Sequence, residues 1–175
     1  MKMNKTIKNQ ILSAFFAAII SAISLITIPS PTGIPITLQT FAVSLSGFLL
    51  GWKYGTLSVA LYLTAGILGL PIFSGMTGGI GSFFGTTGGF LFGFLPLAAA
   101  CGIAKKNFQK VICSILGLII CHMAGFFWFV FSTKSNMIAA ITTISLPYLV
   151  KDIISLFASY IISQLLLKRI KFIND

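Results

Sequence analysis

Apolar residues run through this chain in long blocks with scarcely a charge inside them, and short polar stretches punctuate the blocks. A helix needs about 20 residues to cross the hydrocarbon of a bilayer, and a window of that length marks six blocks. They cover residues 7–28, 37–50, 54–70, 88–104, 111–131 and 147–167. The second and fourth are short, and each extends into a threonine-rich or glycine-rich flank. The pattern predicts an all-α integral membrane protein, a single domain over residues 1–175 built from six transmembrane helices. The run before the first block is basic, as in a signal peptide, but the block is long and ends without a small-residue cleavage site. It is expected to remain as the first span.

Composition agrees with lipid as the solvent. Of 175 residues, 57% are hydrophobic and 8% are charged, more apolar surface than a water-soluble domain of this size needs for one core. The net charge of +10 arises because 12 lysines and arginines face only 2 acids. Those basic residues sit in short stretches between the blocks, which argues against a nucleic-acid partner. Cys101, Cys113 and Cys121 fall inside apolar runs without ligand-type spacing, so neither a disulfide framework nor a metal site is predicted. No cofactor is implied.

The basic residues orient the chain. Lys2, Lys5 and Lys8 precede the first span, Lys53 follows the second, Lys105, Lys106 and Lys110 follow the fourth, and Lys168, Arg169 and Lys171 follow the sixth. All fall on one side, and the opposite connections carry Lys134 alone. Because cytoplasmic loops are enriched in lysine and arginine, both termini are expected in the cytoplasm. The external connections are then residues 29–36, 71–87 and 132–146, rich in glycine, proline and threonine. A site facing outward would lie beneath them, since irregular backbone at membrane depth must be covered by protein or line a cavity.

Candidate chemistry concentrates in the last span, in Leu146-Pro-Tyr-Leu-Val-Lys-Asp-Ile-Ile154. Setting Lys151 and Asp152 into an apolar helix costs about 2.5–3.5 kcal/mol each on insertion scales. Either the two neutralise each other or snorkel to the interface, or they line a polar pocket; the pocket is the favoured reading. There an ammonium would pair with a ligand carboxylate and Asp152 would accept from ligand N–H groups. A second constellation runs from Gly66 to Phe90, dense in glycine and interleaved with phenylalanine. Glycine lets backbone approach a ligand closely, and the phenylalanines point to packing rather than free solvation, although a merely flexible loop is the alternative. The stretch has no nucleotide-binding ending. Ala14, Ala18 and Ala22 form a small-residue stripe that would admit another helix or serve internal packing. His122 reads as a packed or interhelically hydrogen-bonded residue.

These features resemble the BioY family, the substrate-capture (S) subunits of energy-coupling factor (ECF) transporters for biotin. The resemblance rests on Ile34-Pro-Ile-Thr-Leu-Gln-Thr40, Tyr62 with Gly66, Gly69-Leu-Pro-Ile-Phe73, and Gly85-Thr-Thr-Gly-Gly-Phe-Leu-Phe-Gly-Phe94, in order within a six-helix frame. It implies an S-component bundle in a bacterial plasma membrane that binds biotin from outside, with the first loop as a lid. It also implies a transmembrane coupling (T) subunit docked on Ala14, Ala18 and Ala22, and two cytoplasmic ATPase subunits. The chain departs from the family stretch at Thr86, which replaces a proline, and at Phe90, which replaces a tyrosine. A lysine expected one turn after the aspartate is Ser155 here, and Lys151 precedes the acid instead.

On that resemblance, Asp152 would accept a ureido N–H of biotin, and Lys151 would pair with the carboxylate or orient Asp152. Gln39 and loop glycines Gly75, Gly79 and Gly88, with Thr87, would close over the ligand, and Phe90 and Tyr148 would pack on the ring. The rivals are capture of another vitamin, such as thiamine or riboflavin, and an intramembrane enzyme. The enzyme reading is the weaker, because catalysis in membranes usually needs several acids, a histidine cluster or a metal.

Overall fold

A computed structural model describes residues 4–30, 35–141 and 146–169. Residues 31–34 and 142–145 of the expected external connections, and Lys2 and Lys171 of the orienting charges, lie outside the described residues.

Helix α1, Lys5–Ser24, starts where the Asn4 side chain accepts the Thr6 backbone N–H at 3.0 Å, which satisfies one of the donors a helix start leaves open. After α1 the chain forms a small hairpin not foreseen from the proline-rich sequence. Strand β1, Thr27–Ile28, pairs antiparallel with β2, Ile36–Thr37, with Thr27 opposite Thr37 and Ile28 opposite Ile36. Helix α2, Gln39–Ile67, follows and is broken at Gly51, whose φ of 75° and ψ of 171° are non-helical. Only glycine adopts that backbone without steric cost, so one continuous stretch becomes two helices meeting at a corner. The two halves of α2 correspond to the second and third apolar blocks.

A short turn, α3, Ile80–Phe83, leads into α4, Gly88–Ile103, then α5, Asn107–Thr133. Another short turn, α6, Met137–Ala140, precedes α7, Leu146–Arg169. The frame is thus six apolar helices: α1, the two halves of α2, α4, α5 and α7. Three of these, α1, α5 and α7, are each long and apolar enough to cross a membrane alone. The shorter helices are the interior ones: α4 packs between α2 and α5, while α1 and α7 pack on α2. Close approach of α2 and α4 depends on Gly47, where a β-carbon would collide with the Ala98 carbonyl.

Large apolar side chains cover the outside. Ile119, Ile120 and Phe127 on α5 and Ile154 and Ile161 on α7 are all exposed. A patch of that extent would be an aggregation hazard in water, whereas hydrocarbon solvates it without loss. The polar side chains go inward instead: Ser155, Ser159 and Ser163 lie buried along one face of α7.

Candidate functional site

At the end of the bundle that carries the hairpin, α2, α4 and α7 part around a cavity of about 660 Å³, its mouth included. That size suits a small-molecule ligand, for which pockets run to about 300–1,000 Å³. Its apolar lining comes from Phe73, Phe90, Leu91, Phe94 and Tyr148, and its polar wall is made by Thr37, Gln39, Thr40, Lys151 and Asp152, with Ser74, Thr77, Ser82 and Thr87 from the segment before α4.

Asp152 organises the polar wall. It is 5% exposed, and its two oxygens are held by different helices. Oδ2 lies 3.1 Å from His122 Nε2 on α5. Oδ1 lies 2.5 Å from Lys151 Nζ in an ion pair, and a carboxylate oxygen, with two lone pairs, keeps accepting capacity beside that contact. The same ammonium donates to the Thr37 backbone carbonyl at 2.8 Å. Lys151 thereby bridges Asp152 to the foot of the hairpin. The two readings of this pair are not exclusive: lysine and aspartate do neutralise each other, and they do so in the wall of a pocket. An isolated charge buried in low dielectric is costly unless paired and hydrogen-bonded, and Asp152 meets both requirements.

A second chain of contacts supports the first. Gln39 Nε2 donates to the Tyr62 hydroxyl at 2.7 Å, and Gln39 Oε1 accepts from Thr37 Oγ1 at 3.1 Å. Tyr62 is fully buried and stands edge-on to Phe73, with centroids 5.5 Å apart. Phe73 occupies its place because residue 66 is glycine; a β-carbon there would run into the ring. The Ser24 hydroxyl at the end of α1 donates to the Ile72 carbonyl and fastens the loop that carries Phe73. The glycine turn before α4 is fastened on the other side, where Trp128 Nε1 donates to the Gly85 carbonyl at 2.8 Å.

Six residues anticipated from the sequence line the cavity: Gln39, Thr87, Phe90, Tyr148, Lys151 and Asp152. Gly75, Gly79 and Gly88 stand outside its walls. Gly75 and Gly79 take positive φ values of 72° and 85° and serve turns, and Gly88 is packed against the Phe83 carbonyl and Trp128. Ala14, Ala18 and Ala22 are exposed on α1, away from the cavity. His122, read from the sequence as packed or interhelically hydrogen-bonded, is both, against Phe90 and with Asp152; the sequence did not point to that partner. The presence of His122 as an ionisable group inside an apolar block was the available signal; nothing in the spacing points to residue 152. Thr37 and Thr40 lay within a recognised motif, though its pattern gives them no role.

Six apolar helices, with a deep acid-containing cavity at one end, define an integral membrane protein built to hold a small ligand. The BioY family model matches residues 1–172, and the chain belongs to that family. It is 37% identical to the biotin transporter BioY of Thermotoga maritima over 89% of this chain and 94% of the relative. Its identity to the biotin transporter BioY of Rhodobacter capsulatus is 32%, over 90% and 92%. The fold is similar to that of a crystal structure of the S-component for biotin from an ECF-type ABC transporter. The TM-score is 0.84 at 30% identity, covering 97% of this chain and 95% of the other.

Proposed function

We propose that this chain is the biotin-capture subunit of an ECF-type uptake transporter in the plasma membrane. The observation that carries the reading is the buried carboxylate of Asp152, held by two partners and facing an otherwise largely apolar cavity. Biotin's chemistry matches both walls. Its ureido N–H groups need an acceptor, which Asp152 Oδ1 offers, and its sulfur ring and aliphatic tail suit Phe73, Phe90, Leu91, Phe94 and Tyr148. Lys151, engaged with both Asp152 and Thr37, orients the acid and ties the hairpin over the site rather than waiting as a free cation. The relatives are named as transporters, not enzymes, which favours capture over catalysis.

In the same reading, the end carrying Lys5, Lys53, Lys105, Lys106 and Lys168 faces the cytoplasm, and the cavity opens outward. The coupling subunit packs on α1, where Ala14, Ala18 and Ala22 are exposed beside Ile7, Ile11 and Phe15. Small side chains there permit close helix contact. Two cytoplasmic ATPase subunits complete the transporter.

Isothermal titration of the detergent-purified protein with biotin, thiamine and riboflavin tests the ligand. Biotin alone should bind, and Asp152→Ala should weaken it by about a hundredfold, as expected when one member of a buried charged set is truncated. Binding of thiamine or riboflavin in place of biotin, or wild-type affinity in Asp152→Ala, would overturn the reading. In the same preparation, Ala14→Trp and Ala18→Trp should bind biotin normally but fail to co-purify with the coupling subunit.

A further inference from the structure

We infer that His122 is a positioning residue: it fixes the plane of the Asp152 carboxylate so that Oδ1 is presented to an N–H group of the ligand. This rests on the reading of Asp152 as the ligand's acceptor. The terminal torsion of an aspartate is soft; Lys151, tethered to the Thr37 carbonyl, holds one oxygen, and one anchored oxygen leaves the carboxylate plane free to turn about it. His122 holds the other. Its ring is buried, stands edge-on to Phe90 with centroids 5.6 Å apart, and places Nε2 3.1 Å from Oδ2. Asp152 lines the cavity, and with Oδ2 engaged from α5 the oxygen that keeps accepting capacity for a ligand is Oδ1.

The arrangement also selects the protonation pattern of the ring. A carboxylate beside an ammonium only accepts, so Nε2 carries the proton. Nδ1 is buried and, among the described residues, has no hydrogen-bond partner. His122 is therefore the donor of this contact. Phe90 couples this donor to the cavity, since one ring both lines the cavity and backs the histidine.

The test is a double-mutant cycle on the full chain, read by biotin titration. His122→Phe keeps a ring against Phe90 and removes the donor; affinity should fall about tenfold or more, the usual consequence of losing a hydrogen bond to a charged group. His122→Gln, which can return an N–H near Nε2, should recover affinity to within about threefold of wild type. In an Asp152→Asn background, His122→Phe should cause no further loss, because residues acting through one another are not additive. Independent losses that multiply, or a glutamine variant no better than phenylalanine, would reduce His122 to a packing role and overturn the inference while leaving Asp152 as the acceptor. Wild-type affinity in Asp152→Asn would instead remove the reading of the site, and the inference with it.

A measurement on the unaltered sequence guards against variants that do not fold. His122 is the one histidine of the chain, so nitrogen-15 histidine in protein purified without a histidine tag gives a single ring to observe. A ring protonated at Nε2, with that nitrogen's signal shifted by biotin, is expected; an Nε2 that carries no proton overturns the proposal.

Discussion

Lys151 carries two contacts that no other side chain in the cavity wall can replace: the ion pair with Asp152 and the hydrogen bond to the Thr37 carbonyl. Lys151→Met keeps most of the apolar stem and removes the ammonium. Asp152 then keeps His122 as a partner but loses its counter-charge, and the hairpin loses its tie to α7. Stability should fall by about 1–3 kcal/mol, the range for leaving a buried group without its partner, with faster amide exchange at residues 36–40. Unchanged exchange there would show that Lys151 does not hold the hairpin. A lysine was legible here as an intramembrane charge with a cost to offset. That its ammonium bonds to backbone 114 residues away in sequence was not, because a flexible side chain takes its partner from whatever the packing brings near.

Among the elements, α2 shows how local chemistry and packing divide the work. Its apolar content predicts two short helices, and Gly51 supplies the corner between them. Further along, Gly66 is needed for a different reason: the Phe73 ring lies against its α-carbon. Gly66→Val should displace Phe73 from beside Tyr62, cost about 1–3 kcal/mol as overpacking does, and weaken biotin binding through the altered cavity wall. Gly81→Ala is the matched control, since a β-carbon there meets open space and should leave both quantities as in wild type. Equal effects of the two substitutions would mean that glycine content in general matters, not the Gly66–Phe73 contact. The density of glycine between Gly66 and Phe90 was readable as close packing. Which glycines serve turns, which admit rings and which face the cavity required the fold, because the same residue type meets all three needs.

Across the whole molecule, charge and apolarity set the frame. The basic helix ends gather at the end opposite Asp152, and in the orientation proposed from the positive-inside tendency the cavity opens outward. Single cysteines introduced at Gly81 and at Lys106, in a chain with Cys101, Cys113 and Cys121 replaced, test that orientation. A membrane-impermeant maleimide applied to intact cells should label position 81 and not position 106, and the reverse pattern would place the cavity on the cytoplasmic side.

By itself the sequence determined the solvent, the six-helix class and the presence of one acid within the apolar blocks. These are sums over contiguous residues: the transfer of a block into hydrocarbon depends on its own side chains and hardly on what packs beside it. Only the tertiary structure decided how that acid is tolerated. His122 is 30 residues before Asp152, and Thr37 is 114 before Lys151. Their convergence depends on how far each helix is rotated about its axis when α2, α5 and α7 pack. Hydrogen bonds act only over about 3 Å, so a quarter-turn of one helix would break the set while leaving every apolar block unchanged.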